Sequence, residues 1–91
     1  MTTKPLRQEE IAAILAIYYA CNGSIRAHQP IERIKVKFVK ALRPEAKKIL
    51  EQTAKRPERY ILKHKNKTET YAITLNGIKL LEDLGIIPRK R

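Results

Sequence analysis

The sequence predicts a mainly α domain with a small β-hairpin, in the order helix, helix, helix, hairpin, helix. Three observations predict it. Apolar residues recur at helical spacing in three stretches before Pro57; two short runs rich in Tyr, Ile, Leu and Thr follow; and one more helical stripe comes after them. At 91 residues with 43% hydrophobic content, the chain has apolar material for one core and not for two. A single domain over 1–91 is expected, with short flexible ends at about 1–5 and 87–91.

The first helix is expected from Leu6 to Ala20, with Glu9 and Glu10 near its positive end and Asn22 and Gly23 stopping it. Ile11, Ile14, Leu15, Tyr18 and Tyr19 form one apolar stripe. The opposite side is Ala13, Ala16, Ile17 and Ala20 rather than charge, so the helix is apolar all round. In so small a domain the second side is expected to meet another subunit, and Ala13, Ala16, Ile17 and Ala20 are the expected homodimer interface. The alternative is the plain helix propensity of alanine.

Ser24 and Ile25 can make one short strand. Pro30 to Leu42 reads two ways: Ile34, Val36 and Phe38 alternate like a strand, whereas Ile31, Ile34, Phe38 and Leu42 recur like a helix. Length and the Pro30 start favour the helix. Pro44 opens a third helix with a clean inward stripe of Ala46, Ile49, Leu50, Thr53 and Ala54, ended by Pro57. Lys48, Glu51, Gln52 and Lys55 then point outward, with Arg43 at the start and Lys47 on the flank. Arg59 to His64 and Thr70 to Thr74 form the hairpin, whose tip is basic. Thr74 caps the last helix, Leu75 to Leu84, and Gly85 closes it.

Twenty Lys and Arg against nine Asp and Glu give a formal net charge of +11. The excess lies mid-chain, where residues 33–67 hold 13 basic residues against Glu45, Glu51 and Glu58. A polyanion is the natural partner. No apolar run approaches a membrane span, and no basic amphipathic stretch carries interfacial Trp or Phe, so no membrane partner is expected. Cys21 is the only cysteine and Met1 to Gln8 is too polar for a signal peptide, which reads as a cytoplasmic protein. His28 and His64 have no Cys, Asp or Glu at ligand spacing, so no metal site is expected. No nucleophile with a nearby base and no glycine-rich phosphate loop is present, so neither catalysis nor a cofactor is expected.

The element order, together with the stretch from Tyr71 to Gly85, resembles the winged helix-turn-helix family, including small bacterial and archaeal regulators of the PadR and MarR types. In that family the second wing strand runs into a Leu/Ile-Thr-x-x-Gly motif and an amphipathic helix; Ile73, Thr74 and Gly77 stand at those positions. The resemblance covers residues 8–86. It implies that the helix from Pro44 enters the major groove of double-stranded DNA, with Lys48, Gln52, Lys55, Lys47 and Glu51 toward base edges and Arg43 on the backbone. Lys63, Lys65 and Lys67 on the hairpin would contact phosphates. Gln52 is the best base reader, because Gln pairs bidentately with adenine. The family departs from this chain in the second helix, where Arg33, Lys35, Lys37 and Lys40 are unusually basic, and in the loop Arg26 to Pro30.

The expected function is thus a dimeric, nucleoid-associated DNA-binding protein, serving as a transcriptional regulator, a plasmid partition protein or a nucleoid protein. An RNA-binding or ribosomal winged-helix role is the first alternative. The second is a protein-interaction adaptor whose basic hairpin recognises an acidic protein partner.

Overall fold

Glu10 organises the start of the first helix and the end of the third. Its Oε1 accepts the Arg7 backbone N–H at 3.0 Å, which caps the helix start. The same carboxylate takes a two-point grip from Arg56, with Nε 2.7 Å from Oε2 and Nη2 2.8 Å from Oε1. The computed structural model describes residues 5–65 and 69–89. Among these lie α1 (Gln8–Ala20), β1 (Gln29–Pro30), α2 (Ile31–Lys35), a 3-10 helix (Lys40–Glu45), α3 (Ala46–Ala54), β2 (Ile61–Lys65), β3 (Glu69–Ile73) and α4 (Leu75–Asp83). They form a small α+β domain whose antiparallel sheet has the order β1-β3-β2. No helix among the described residues is long and apolar enough to cross a membrane.

α1 runs through the centre and packs on α2, α3, α4 and β3. This corrects the expected dimer interface. Ala13, Ala16 and Ile17 are at most 1% exposed within the single chain, and Ala20 packs at the edge of the same core. The helix is apolar on two sides because its own domain packs against both, so Ala13, Ala16 and Ile17 offer no surface to a second copy. Asn22 and Gly23 end the helix as expected, with successive positive φ values of 53° and 75°.

The segment after α1 differs most from expectation. Ser24 and Ile25 form no strand; the Ser24 hydroxyl instead accepts the Arg26 N–H in a local turn. The strand lies at Gln29–Pro30, paired with Tyr71 and Thr70. Pro30 has no N–H to donate, which suits the edge of a sheet. α2 is five residues long rather than thirteen, and residues 36–38 are a turn, neither helix nor strand. Ile34 and Phe38 remain buried, as the helical spacing requires, but Val39 is extended (φ −60°, ψ 148°) and restarts the chain as a 3-10 helix. Pro44 lies inside that helix rather than opening α3. The lead-in is separated from α3 at Glu45, which leaves the helical conformation at φ −106°, ψ 9°.

The exit from the hairpin is built as the sequence predicts. The Thr74 hydroxyl accepts the Gly77 N–H at 3.1 Å and donates to the carbonyls of Arg59, at 2.5 Å, and Tyr60, at 3.0 Å. This clamp pulls α4 onto the start of β2. A side chain at Gly77 would fall inside the van der Waals contact of the Tyr60 carbonyl oxygen and 2.9 Å from Ile73 Cγ1. At the far end Gly85 takes φ 74°, and the Ile86 N–H donates to the Leu81 carbonyl at 2.9 Å. Ile87, expected in the flexible tail, packs in the core at 7% exposure. Residues 1–4 and 90–91 lie outside the described residues.

Two predictions follow from these contacts. Hydrogen bonding from Arg56 holds the Glu10 carboxyl below the usual glutamate value, against the opposing effect of burial. A lowered folded-state pKa gives stability that is complete above the unfolded carboxyl's pKa of about 4.3, and lost as the pH falls through the folded value. Glu10→Gln is expected to cost about 3 kcal/mol at neutral pH, because it removes the carboxylate that meets the buried Arg56 charge at two points. It should also flatten the acid limb of stability below about pH 5. Urea unfolding across pH checks both, and acid limbs of equal slope would contradict the assignment. Gly77→Ala sets a helix-propensity gain of about 1 kcal/mol against an overpacking cost of about 1–3 kcal/mol. A lower melting temperature is expected, and a higher one would show that α4 does not approach Tyr60 so closely in solution.

Candidate nucleic-acid interface

α3 has two sharply different sides. Ala46, Ile49, Leu50 and Thr53 are at most 2% exposed, and the Thr53 hydroxyl is satisfied by the Ile49 carbonyl at 2.8 Å. The other side presents Lys47, Lys48, Gln52 and Lys55 to solvent. The inward stripe read from the sequence is therefore in place and fixes the outward set, Glu51 being the half-buried exception.

Arg43 is placed differently from expectation. Its Nε donates to the Phe38 carbonyl and its Nη2 to the Val36 carbonyl, both at 3.2 Å. The guanidinium thus holds the turn that leads into α3, and the backbone oxygens it satisfies belong to this chain.

Lys63 is also engaged. Alternation along β2 puts it on the inner face with the buried Ile61, opposite Tyr71 on β3. Its Nζ lies 3.3 Å from Glu51 on α3 and 3.5 Å from Glu69 on β3. Loss of hydration opposes it, but Tyr71 and the two carboxylates hold the Lys63 ammonium above the usual lysine pKa. Lys63 and Glu51, both expected to face DNA, instead tie the hairpin to the helix. Nothing local in the sequence signals a pair twelve residues apart. Tyr71 lies against this cluster, fully buried, its hydroxyl without a hydrogen-bond partner among the described residues, and burial raises its pKa. Lys65 is exposed at the end of β2, in register with Glu69. Lys67 lies outside the described residues.

The acidic residues are distributed unevenly. Glu9 pairs with Arg7, Glu10 and Glu58 with Arg56, Glu51 and Glu69 with Lys63, and Asp83 with Arg89. Among the described residues, four basic side chains thereby engage six carboxylates. Lys47, Lys48, Lys55 and Lys65 make no ion pair among the described residues. The exposed side of α3 and Lys65 at the end of β2 therefore carry positive charge that no ion pair offsets among the described residues.

A second surface lies at the other end of α1. A cleft of about 480 Å³ is lined by Tyr18, Ile25, Leu75, Ile78, Lys79 and Arg89, among others. Ile25 and Leu75 are 43% and 67% exposed. Among the described residues no group of three or more His, Cys, Asp or Glu side chains is placed to hold a metal ion. His28 and His64, far apart in sequence, do come together, with ring centres 5.4 Å apart.

Comparison with known proteins finds no match: no family model, no curated protein and no solved structure is significantly similar to this chain.

Proposed function

We propose that the chain is a winged helix-turn-helix domain that binds double-stranded DNA without catalysing a reaction. One observation carries the reading: α3 is anchored by a fully buried stripe, while Lys47, Lys48, Gln52 and Lys55 project from its other side with no carboxylate paired to them among the described residues. A rigid helix with one apolar and one cationic side can lie in a major groove, its lysines on phosphates and Gln52 against a base edge. The β2–β3 hairpin stands beside α3 as a wing, with Lys65 toward the backbone. Lys63 and Glu51 act in this reading as positioning residues that set the wing against the helix. Arg43 shapes the lead-in turn. Lysine is a mobile point charge, so affinity comes mainly from phosphates and falls steeply with salt.

The proposal includes a homodimer formed through the cleft between α1 and α4, not through Ala13, Ala16 and Ile17. Exposed Ile25 and Leu75 supply its apolar part, and the lining holds both charge signs, in Lys79, Glu82 and Arg89. A two-fold related copy can satisfy such a surface reciprocally, whereas the α3 side repels its own copy.

Lys48→Ala and Lys55→Ala are each expected to weaken binding to all duplexes alike and to reduce the slope of log K against log salt by about 1. Gln52→Ala should leave affinity for random duplex nearly unchanged while relaxing discrimination by about 1–3 kcal/mol at one position. Fluorescence anisotropy on selected and random duplexes measures these effects. Equal preference for single strands or structured RNA would favour an RNA-binding role instead. For the assembly, light scattering at micromolar concentration should report a dimer for the native chain and a monomer for Leu75→Glu; a native monomer would remove the dimer from the proposal.

A further inference from the structure

The outer face of the sheet, turned away from α3, gathers the only two histidines of the chain. Gln29 is paired with Tyr71 on the inner face, so His28, one residue earlier, belongs to the outer face with Pro30. His64 lies on that face too, paired with Thr70, while its neighbour Lys63 faces inward. β1 and β2 flank β3 and do not touch each other, which puts them roughly 10 Å apart. The strand between them carries only Thr70 and Ala72 on this face. With so low a floor, the two imidazoles lean toward each other across it, and both remain exposed to solvent.

Their ring centres are 5.4 Å apart and their planes are inclined by 45°. Two imidazoles sharing one tetrahedral ion, each with a ring nitrogen about 2.1 Å from the metal, have ring centres about 5 Å apart. The observed spacing thus accommodates a shared ion with side-chain rotation alone and no movement of the strands.

We propose that His28 and His64 form a two-imidazole site for a divalent transition metal such as Cu²⁺, Ni²⁺ or Zn²⁺, with water filling the remaining positions. Imidazole suits these ions, and the strands place no carboxylate on this face among the described residues, which disfavours Mg²⁺ and Ca²⁺. A bound ion ties β1, in the connection between α1 and α2, to the end of β2 that leads into the hairpin turn. The site lies on the opposite face of the sheet from α3 and does not depend on the proposed DNA binding.

Titration of the full chain with Ni²⁺, followed by calorimetry, is expected to show one saturable site per chain in the micromolar range. His28→Gln and His64→Gln should each weaken it by at least about tenfold, since the second imidazole acts as an intramolecular ligand. Both positions are exposed, so the metal-free melting temperature of each variant should match that of the native chain. Ni²⁺ should broaden the amide signals of Thr70 and Ala72 before those of α3, and should raise the melting temperature of the native chain only. Absence of saturable binding below millimolar Ni²⁺ would overturn the proposal. So would binding that survives either substitution, or broadening centred away from this face.

Discussion

The buried pair between Arg56 and Glu10 is the contact on which the rest of the structure depends. It joins the first turn of α1 to the end of α3 at a point where both side chains are less than one-tenth exposed. Burying two charges carries a large desolvation cost, offset here because the guanidinium meets the carboxylate at two points and is also shared with the Pro5 carbonyl and Glu58. A lysine could not replace Arg56, because a single ammonium cannot reproduce the two-point geometry. Pro57 follows immediately and the chain turns into the hairpin, so the pair fixes the direction in which β2 leaves α3.

The hairpin receives two further restraints from there. Thr74 ties its exit to its start through the Arg59 and Tyr60 carbonyls, and Gly77 allows α4 to close on the same point. Lys63 ties its middle to α3 through Glu51. The last of these is partly exposed and contributes geometry more than stability. Together they hold the hairpin at a set angle to the helix that carries Gln52 and the free lysines.

Charge is managed by segregation. A net charge of +11 on 91 residues favours expansion of the chain, and the few carboxylates are concentrated where the fold needs them, at Arg56 and Lys63. Lys47, Lys48 and Lys55 on α3 make no ion pair among the described residues. The Tyr71 hydroxyl is the cost on the inside: a buried donor beside the Lys63 cluster without a partner among the described residues.

The sequence by itself determined what depends on local periodicity and local chemistry. The stripe of α3 fixed which residues turn inward, and the Thr74 and Gly77 spacing fixed the exit from the hairpin, because a cap and its close approach act within one helical turn. Composition fixed the sign of the expected partner. Only the tertiary structure decided what depends on residues distant in the chain. Apolar character on both sides of α1 could not reveal whether its second neighbour was a copy or its own domain, since hydrophobic burial has no direction. α2 is short because the Lys37 and Phe38 N–H groups donate to the Ile34 and Lys35 carbonyls, three residues back instead of four, which the spacing of Ile34 and Phe38 does not encode. The engagement of Lys63 with Glu51, and the meeting of His28 with His64 across β3, rest on strand order, and pairing between strands is not written in the pattern of either strand alone.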